Sequence, residues 1–337
     1  MAPVLLYVVG VATAVCAYQS AFQAGLLHAL LPDLHITSKE LGQLFGLTSF
    51  ALSLLLVFRT NASYERWDGA RKMWGLVLNR SRDVVRQGLA WIPAERAGLR
   101  DMLCRWVPAF SKALMCHLRK GEDLSKELEG ILLPHEVKAV LQASHRPNYI
   151  LQVLAQIVRA ACLPTAITMA MEQNLTNFED CLGGCERILR TPVPVAYARH
   201  TSRFMMMWLT ALPFTLVASL GWGAVPACGV IAYLLLGIKE ITVSIEEPFS
   251  ILPLETISGT VVTNVRELQA MHSTAQHGMA QHSAASGGTR EVLSAAALVA
   301  LAEREEAKQG SRRLKKDDPS HRGVGEERTA LPALVAA

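Results

Sequence analysis

The feature that most constrains this chain is a stretch without charged side chains, residues 41–58, which is followed at once by Arg59. A helix over this stretch is roughly 27 Å long at 1.5 Å per residue, close to the thickness of the hydrocarbon core of a bilayer, about 30 Å. Lipid leaves no partner for an unpaired backbone group, so such a segment has to be helical. The stretch therefore predicts a membrane-spanning helix that ends where the basic segment begins.

Two other stretches are long enough to cross a membrane. Residues 3–32 contain no Lys, Arg, Asp or Glu, and residues 204–238 are also free of charge. The latter stretch is too long for one straight helix and is interrupted by a Gly-Trp-Gly segment and Pro226, so it predicts a helical hairpin with a third and a fourth span. Basic residues lie at both ends of the hairpin and after residues 41–58, which predicts that these ends and both termini are on the inner side.

Composition supports a membrane protein that is not an enzyme. Hydrophobic residues make up 51% of the chain and charged residues only 18%, whereas soluble domains carry about 25% charged residues. The net charge of +4 comes from basic residues beside apolar spans, without the interleaved aromatic residues of a nucleic-acid surface. No glycine-rich nucleotide loop, catalytic carboxylate pair or nucleophile elbow is present. The sequence therefore predicts no catalytic residues, no cofactor and no nucleic-acid partner.

The pattern predicts an all-α, four-span subunit with a large helical inner domain. Within that domain, residues 150–171, which Pro164 interrupts, are interpreted as a buried helix, since Arg159 in its middle would be costly in lipid. The first span begins almost at Met1 without a basic flank, which argues against a signal peptide and leads us to expect a preceding segment that was removed or not included. The predicted divisions are 1–58 for the first two spans, 59–203 for the inner domain, 204–240 for the hairpin, 241–271 for an inner C-terminal segment and 272–337 for a disordered tail.

No metal site is predicted from the cysteines and histidines. The seven cysteines form no disulfide framework, and Cys181 and Cys185 have no companion Cys/His pair at zinc spacing, so they are interpreted as small core residues. His272, His277 and His282 lie in a polar Ala/Ser/Gly-rich stretch at a spacing that matches no helix face. These histidines are interpreted as part of a solvated tail.

The spans lack the acidic residues that proton-coupled carriers use at membrane depth, which favours passive conduction. A symmetric ring of helices over residues 41–58 would enclose an apolar constriction, which passes weakly hydrated anions more readily than strongly hydrated ones. The same face could instead pack against lipid or another helix, in a membrane-anchored scaffold with a closed ring that binds soluble partners. The candidate pore-lining residues, at steps of three and four, are Gln43, Leu47, Phe50, Ala51 and Leu54.

Three ordered segments resemble the bestrophin family, especially its bacterial and plant branch. They are VFRTNASYERW at residues 57–67, CERI followed by TPVP at 185–194, and SIEEPF at 244–249. The resemblance covers roughly residues 1–270 and implies a homopentameric anion channel, with the second span of each subunit lining a narrow neck. The site residues that it implies are Arg59, Asn61, Tyr64, Arg66 and Trp67 in the inner motif, and Glu246, Glu247, Pro248 and Phe249 at the end of the fourth span.

The sequence departs from the animal members of that family at two places. Ala51 lies where they have a bulky apolar residue, which suggests a wider constriction or one to which Phe50 or Leu54 contributes. Animal members follow an Asn-Pro-Phe-Gly turn with an acidic run that binds calcium, whereas the turn here continues as SILPLE with a single carboxylate, Glu255. We therefore expect no calcium gating, and we interpret Glu246 and Glu247 as a capping or ion-pair feature.

The combination of LLLVFRT and EEPF most resembles the chloroplast members of the family, which are thylakoid voltage-dependent chloride channels in plants and are associated with bicarbonate supply in algae. The resemblance implies a multi-pass protein of the thylakoid membrane, with a bacterial inner membrane as the alternative. It also implies the partners: chloride, bicarbonate or nitrate as the conducted anions, membrane lipid, and further copies of the same chain.

Overall fold

The computed structural model describes residues 2–24 and 34–285, and within these ranges all regular secondary structure is helical. Residues up to Ser273 form one compact unit, and the described residues after it, 274–285, are helical. In chain order the α-helices are α1 (Ala2–Gln23), α2 (Leu34–Trp91), α3 (Ala97–Leu118), α4 (Leu124–Leu128), α5 (Pro134–Gln142), α6 (Arg146–Ala160), α7 (Thr165–Arg190), α8 (Val195–Leu220), α9 (Ala224–Glu246), α10 (Pro248–Ile251) and α11 (Leu254–Ala285).

Helix α2 is one unbroken helix of 58 residues. It begins before the uncharged stretch, at Leu34, and the change from apolar to basic sequence at Arg59 does not interrupt it. No proline occurs within it, and a helix of this length extends over roughly 87 Å, far more than the hydrocarbon thickness of about 30 Å. The predicted boundary between the second span and the inner domain therefore lies inside a continuous helix.

The first half of α2 packs with α1, α8 and α9 around an apolar core. Val8, Leu52, Leu209 and Ala232 are fully or almost fully buried in this cluster, one from each helix. Segments long and apolar enough to cross a membrane, among the described residues, are Ala2–Gln23, Phe45–Trp91 and Val195–Glu246, the last of which contains both α8 and α9.

Helices α8 and α9 form an antiparallel hairpin. The hydroxyl of Tyr197, near the start of α8, donates to the carbonyl oxygen of Leu55 over 3.2 Å, while Thr242, near the end of α9, lies 3.0 Å from Thr60 between hydroxyl oxygens. Both ends of the hairpin thus lie at the same level along α2. The chain reverses in a 3₁₀ turn that begins at Gly221, whose φ of +52° favours glycine.

The second half of α2 forms the inner core with α3, α6 and α7. The largest fully buried side chains there include Trp74, Phe110 and Phe178, and the rings of the last two are 4.8 Å apart between centroids. Burying each such side chain contributes about 1.5–3 kcal/mol. Cys181 and Cys185 are fully buried in this core, and burial raises the pKa of the Cys185 thiol to about 12.

Two of the predicted segment descriptions need correction. Residues 150–171 form parts of two helices, because α6 ends at Ala160 and Pro164 prevents its continuation into α7. Arg159 is exposed in the last turn of α6, where a cation is favoured by the helix dipole. The predicted disordered tail begins inside α11, which continues to Ala285; residues 286–337 lie outside the described residues.

The predicted interpretation of the tail histidines also changes for His272. Its Nε2 lies 3.2 Å from the Nη1 of Arg100, so this side chain belongs to the folded unit. The side chains of His277 and His282 lie outside the described residues.

Candidate functional site

The predicted pore-lining residues share one exposed face of α2. Leu47 and Phe50 are 75% and 72% exposed, and Gln43, Ala51 and Leu54 are exposed as well. Leu52 and Leu56, on the opposite face, are 2% and 6% exposed because they pack against α1, α8 and α9. Among the described residues, the other apolar helices of the chain therefore leave this face largely uncovered, and its place in a pore stays a prediction.

Two serine hydroxyl groups on the apolar half of α2 are bonded to the helix itself. Ser49 donates to the carbonyl oxygen of Gly46 over 2.8 Å, and Ser53 donates to that of Ser49 over 2.9 Å. Such bonds to the preceding turn satisfy a hydroxyl without a partner from another helix. The exposed face consequently presents mostly methyl groups and aromatic carbon.

Arg66 joins the three sequence segments on which the family resemblance rests. Its Nε donates to the carbonyl oxygen of Glu246 over 3.1 Å, and its Nη atoms donate to those of Ile188 and Thr191 over 2.7 and 2.5 Å. These carbonyls belong to the C-terminal ends of α9 and α7, which lack intrahelical donors and carry partial negative charge. One guanidinium therefore caps two helices and fixes them to α2.

Arg59 is 5% exposed and forms an ion pair with Glu246, with 3.7 Å between Nη2 and Oε2. Its Nε has no hydrogen-bond partner among the described residues. The arginine lies one turn before Ser63 and marks the inner end of the apolar half of α2. Glu246 thus balances a buried positive charge through its carboxylate and accepts from Arg66 through its carbonyl oxygen.

The other residues of the inner motif do not converge on one point. Asn61 and Tyr64 are exposed, while Trp67 is half-buried against the inner core and lies 5.9 Å from the ring of Tyr64 between centroids. The motif therefore combines two arginines that connect helices with two side chains on the surface.

The turn after α9 is built into the inner core. Pro248 and Phe249 are buried, and Phe249 packs in the inner core cluster. Glu247 is exposed at the end of α9, and its carbonyl oxygen accepts a hydrogen bond from the hydroxyl of Ser250 over 2.7 Å. Glu247 is therefore a backbone acceptor in the turn, while its carboxylate faces solvent.

Arg119, which follows α3 in the chain, holds this turn, and the sequence alone does not identify it. Its Nε donates to the carbonyl oxygen of Phe249 and its Nη2 to that of Leu252, both over 2.7 Å, and its Nη1 pairs with the carboxylate of Glu255. A hydrogen bond from its own backbone, followed by Arg119, holds the pKa of Glu255 below the ordinary value. The oxygen atoms of the turn thus converge on a cation that is part of the chain.

Comparisons with known proteins agree with this architecture. A family model described as bacterial and fungal bestrophin protein matches residues 1–267. Voltage-dependent chloride channel 1, chloroplastic, of Arabidopsis thaliana is 33% identical over 267 residues, which cover 79% of this chain and 64% of that protein. A voltage-dependent anion channel-forming protein of Nostoc sp. is 35% identical over 263 residues, which cover 73% of this chain and 84% of that protein.

Solved structures give the same result at the level of the fold. A bacterial bestrophin homologue from Klebsiella pneumoniae, solved as a variant, superimposes with a TM-score of 0.69 at 29% identity and covers 79% of this chain and 97% of that one. The resemblance expected from the three sequence segments is confirmed. The chain belongs to the bestrophin family, whose members are channels and not enzymes.

Proposed function

We propose that this protein is an anion channel in which several copies of α2 surround a central pore. Chloride is the leading candidate for the conducted anion, and bicarbonate or nitrate are further candidates. Conduction is passive, down the electrochemical gradient. The observation that carries this proposal is the exposed, uncharged face of α2, which lies opposite the face that packs against α1, α8 and α9.

Anion selectivity follows from the chemistry of that face. Residues 41–58 contain no acidic side chain, so a ring of these helices lacks the negative charge that cation channels use. An apolar constriction whose serine hydroxyl groups already donate to the helix backbone favours ions that lose their hydration water easily. Among common ions, these are large anions. Leu47 and Leu54 are the candidates for the narrowest part, since Ala51 adds little bulk between them.

The pore requires an oligomer, because one helix cannot enclose a channel. The family resemblance supports a homopentamer with cyclic symmetry around the pore. Large exposed apolar residues on α2 and α9, among them Phe58, Val230 and Leu234, leave surface for neighbouring subunits and for lipid. Each subunit contributes one α2 to the ring and one inner domain to a vestibule.

Calcium independence is supported by the turn after α9. Calcium requires several oxygen ligands around one position. Here the carbonyl oxygens of Phe249 and Leu252 and the carboxylate of Glu255 already face the guanidinium of Arg119. A calcium ion at the same place would meet a fixed positive charge, so chelation of calcium leaves the current unchanged.

The identity of the membrane that holds the protein is proposed from its relatives. Similarity to a chloroplast channel of Arabidopsis thaliana supports a thylakoid membrane and voltage dependence, and similarity to bacterial proteins keeps a bacterial inner membrane as the alternative. The chain spans about two thirds of the length of that chloroplast relative.

The proposal is tested by reconstituting the full chain in planar bilayers under a chloride gradient, with calcium present and then chelated. We expect a current whose reversal potential lies at the chloride equilibrium value, before and after chelation. Reversal at the cation equilibrium value, or the absence of current from a preparation whose ring is intact by native mass spectrometry, contradicts the channel. That mass measurement also counts the subunits.

A further inference from the structure

Two histidines and a glutamate from distant parts of the chain meet in the inner domain. The Nε2 atoms of His117 and His145 lie 2.6 and 2.9 Å from the same carboxylate oxygen, Oε1 of Glu186. The two imidazole rings are 4.8 Å apart between centroids, and one donor atom from each residue lies within 4.8 Å of the others. In the part of the chain that the structure describes, this is the group with the composition and spacing of metal ligands.

The three donors are held by separate helices. His117 lies in the last turn of α3, His145 is the residue that caps the start of α6, and Glu186 lies one turn before the end of α7. All three side chains are partly buried, so they are positioned by the fold and still reachable from solvent. The positions 117, 145 and 186 match no zinc-binding sequence pattern, which explains why the sequence predicts no metal site here.

We propose that His117, His145 and Glu186 form a binding site for a divalent transition metal, with zinc as the best match. Two imidazoles and one carboxylate are a donor set that zinc accepts when a water completes the tetrahedron. Calcium and magnesium prefer sites made of oxygen alone, so they fit poorly. The site shares no residue with the turn held by Arg119 or with the exposed face of α2.

The geometry needs only a small adjustment to admit the ion. A tetrahedral zinc with bonds of about 2.1 Å separates its donor atoms by roughly 3.4 Å, so each histidine–glutamate pair opens by less than about 1 Å. Arg190, whose Nη2 lies 3.6 Å from Oε1 of Glu186, is mostly exposed and is free to swing into solvent. The guanidinium of Arg190 can therefore leave Glu186 when a cation binds there.

Metal binding also changes a hydrogen bond at His145. In the structure the Nδ1 of His145 accepts from the backbone N–H of Asn148 over 3.3 Å, so the ring proton is on Nε2 and is donated to Glu186. A metal at Nε2 requires that proton on Nδ1, and the bond from Asn148 is then given up. One hydrogen bond of this length is weaker than a zinc–imidazole bond, so zinc binding at Nε2 is favoured over the hydrogen bond from Asn148.

A cavity of about 350 Å³ provides access and room for the water ligand. It is lined by His117 and by Ser144 and Arg146, the two chain neighbours of His145, so it reaches the site from the side of His117. A site with three protein ligands and one open position is typical of zinc centres that exchange their fourth ligand.

The test uses the full chain in detergent after removal of metals. Zinc is titrated against a chromophoric chelator, and Co²⁺ serves as a probe because its visible absorption reports tetrahedral coordination. We expect one zinc per chain and a tetrahedral Co²⁺ spectrum. His117→Gln, His145→Gln and Glu186→Gln each weaken zinc binding by more than about 100-fold, the upper end for loss of an outer-shell partner.

His135→Gln is the matched control, since His135 is exposed on α5 and is not one of the three ligands. It should bind zinc like the wild type, and circular dichroism checks the fold of each variant. The proposal is overturned if the wild-type chain binds less than one zinc, or if zinc binding survives in the three ligand variants. Calcium in place of zinc should give no saturable binding, and equal affinity for both ions also contradicts the proposal.

Discussion

The Nε of Arg119 donates to the carbonyl oxygen of Phe249 over 2.7 Å, although 130 residues separate them in the chain. The same guanidinium donates to the carbonyl oxygen of Leu252 and pairs with Glu255. Charge-assisted hydrogen bonds in this planar arrangement are stronger than neutral ones. Arg119 therefore ties the end of α3 to the turn between α9 and α11.

Replacement of Arg119 should loosen this turn. We expect Arg119→Ala to lower the free energy of unfolding by about 2–3 kcal/mol, because two backbone carbonyls lose charged donors. Arg119→Lys should recover only part of this loss, since a single ammonium lacks the planar fork that reaches several acceptors. Thermal unfolding in detergent measures both variants. Equal stability of Arg119→Ala and wild type would show that the turn holds without the guanidinium.

Shortening the exposed leucines of α2 distinguishes a channel from a scaffold. We expect Leu47→Ala and Leu54→Ala each to raise single-channel conductance about twofold or more, which corresponds to lowering a barrier by about 0.4 kcal/mol. Leu47 is 75% exposed, so little packing within the chain is lost. Leu6→Ala is the matched control, because Leu6 is 71% exposed on α1. Equal conductance in all three variants and wild type contradicts a pore lined by this face, whereas the absence of current from all four, with at most a change in stability, favours the closed scaffold.

Gly88 lies where α2 packs closely against α3. A Cβ at this position would lie 2.1 Å from the Cδ2 of Leu103, which is fully buried in the inner core. We expect Gly88→Ala to destabilise the protein by about 1–3 kcal/mol, as overpacking does. Gly183→Ala is the control, since nothing lies within 4 Å of its added Cβ. That change should leave stability unchanged or raise it by about 0.5–1 kcal/mol, and the midpoints of thermal unfolding compare the two.

Glu136 should make stability depend on pH in the acidic range. Burial raises the pKa of this carboxyl, but hydrogen bonds from Arg105, the backbone of Leu133 and Trp106 outweigh it, so the pKa lies below its ordinary value. The ionised form is thus favoured in the folded state, and its contribution is present above the unfolded pKa and lost as pH falls through the folded pKa. Glu136→Gln should lower stability by about 1–3 kcal/mol at pH 7 and less at low pH. A difference in unfolding midpoint that stays constant from pH 7 to about pH 3 contradicts this assignment.

The sequence was a good guide where a property is local and continuous. The uncharged run at 41–58 predicts an apolar helix, and the Gly-Trp-Gly segment predicts the hairpin whose turn begins at Gly221. The family resemblance followed from short ordered segments, which Arg66 brings together in space. These features depend on neighbouring residues or on motif order, and both are readable from one sequence.

Features that depend on distant residues were not readable in this way. Arg119 is one basic residue among many until the turn at Phe249 lies beside it. His117 and Glu186 likewise share no spacing that predicts their contact. The continuity of α2 was missed for a different reason: polarity changes at Arg59, but a helix ends only where its backbone bonding ends, and nothing in the sequence interrupts that bonding.

The unbroken course of α2 gives the protein a mechanical property. The same rod presents Leu47 at one end and buries Trp74 in the inner core further along. An α-helix without an internal proline has no ready point for a sharp kink, so the orientation of its apolar half is coupled to the packing around Trp74. In the proposed ring, the side chains of α2 that face the pore therefore depend on that packing.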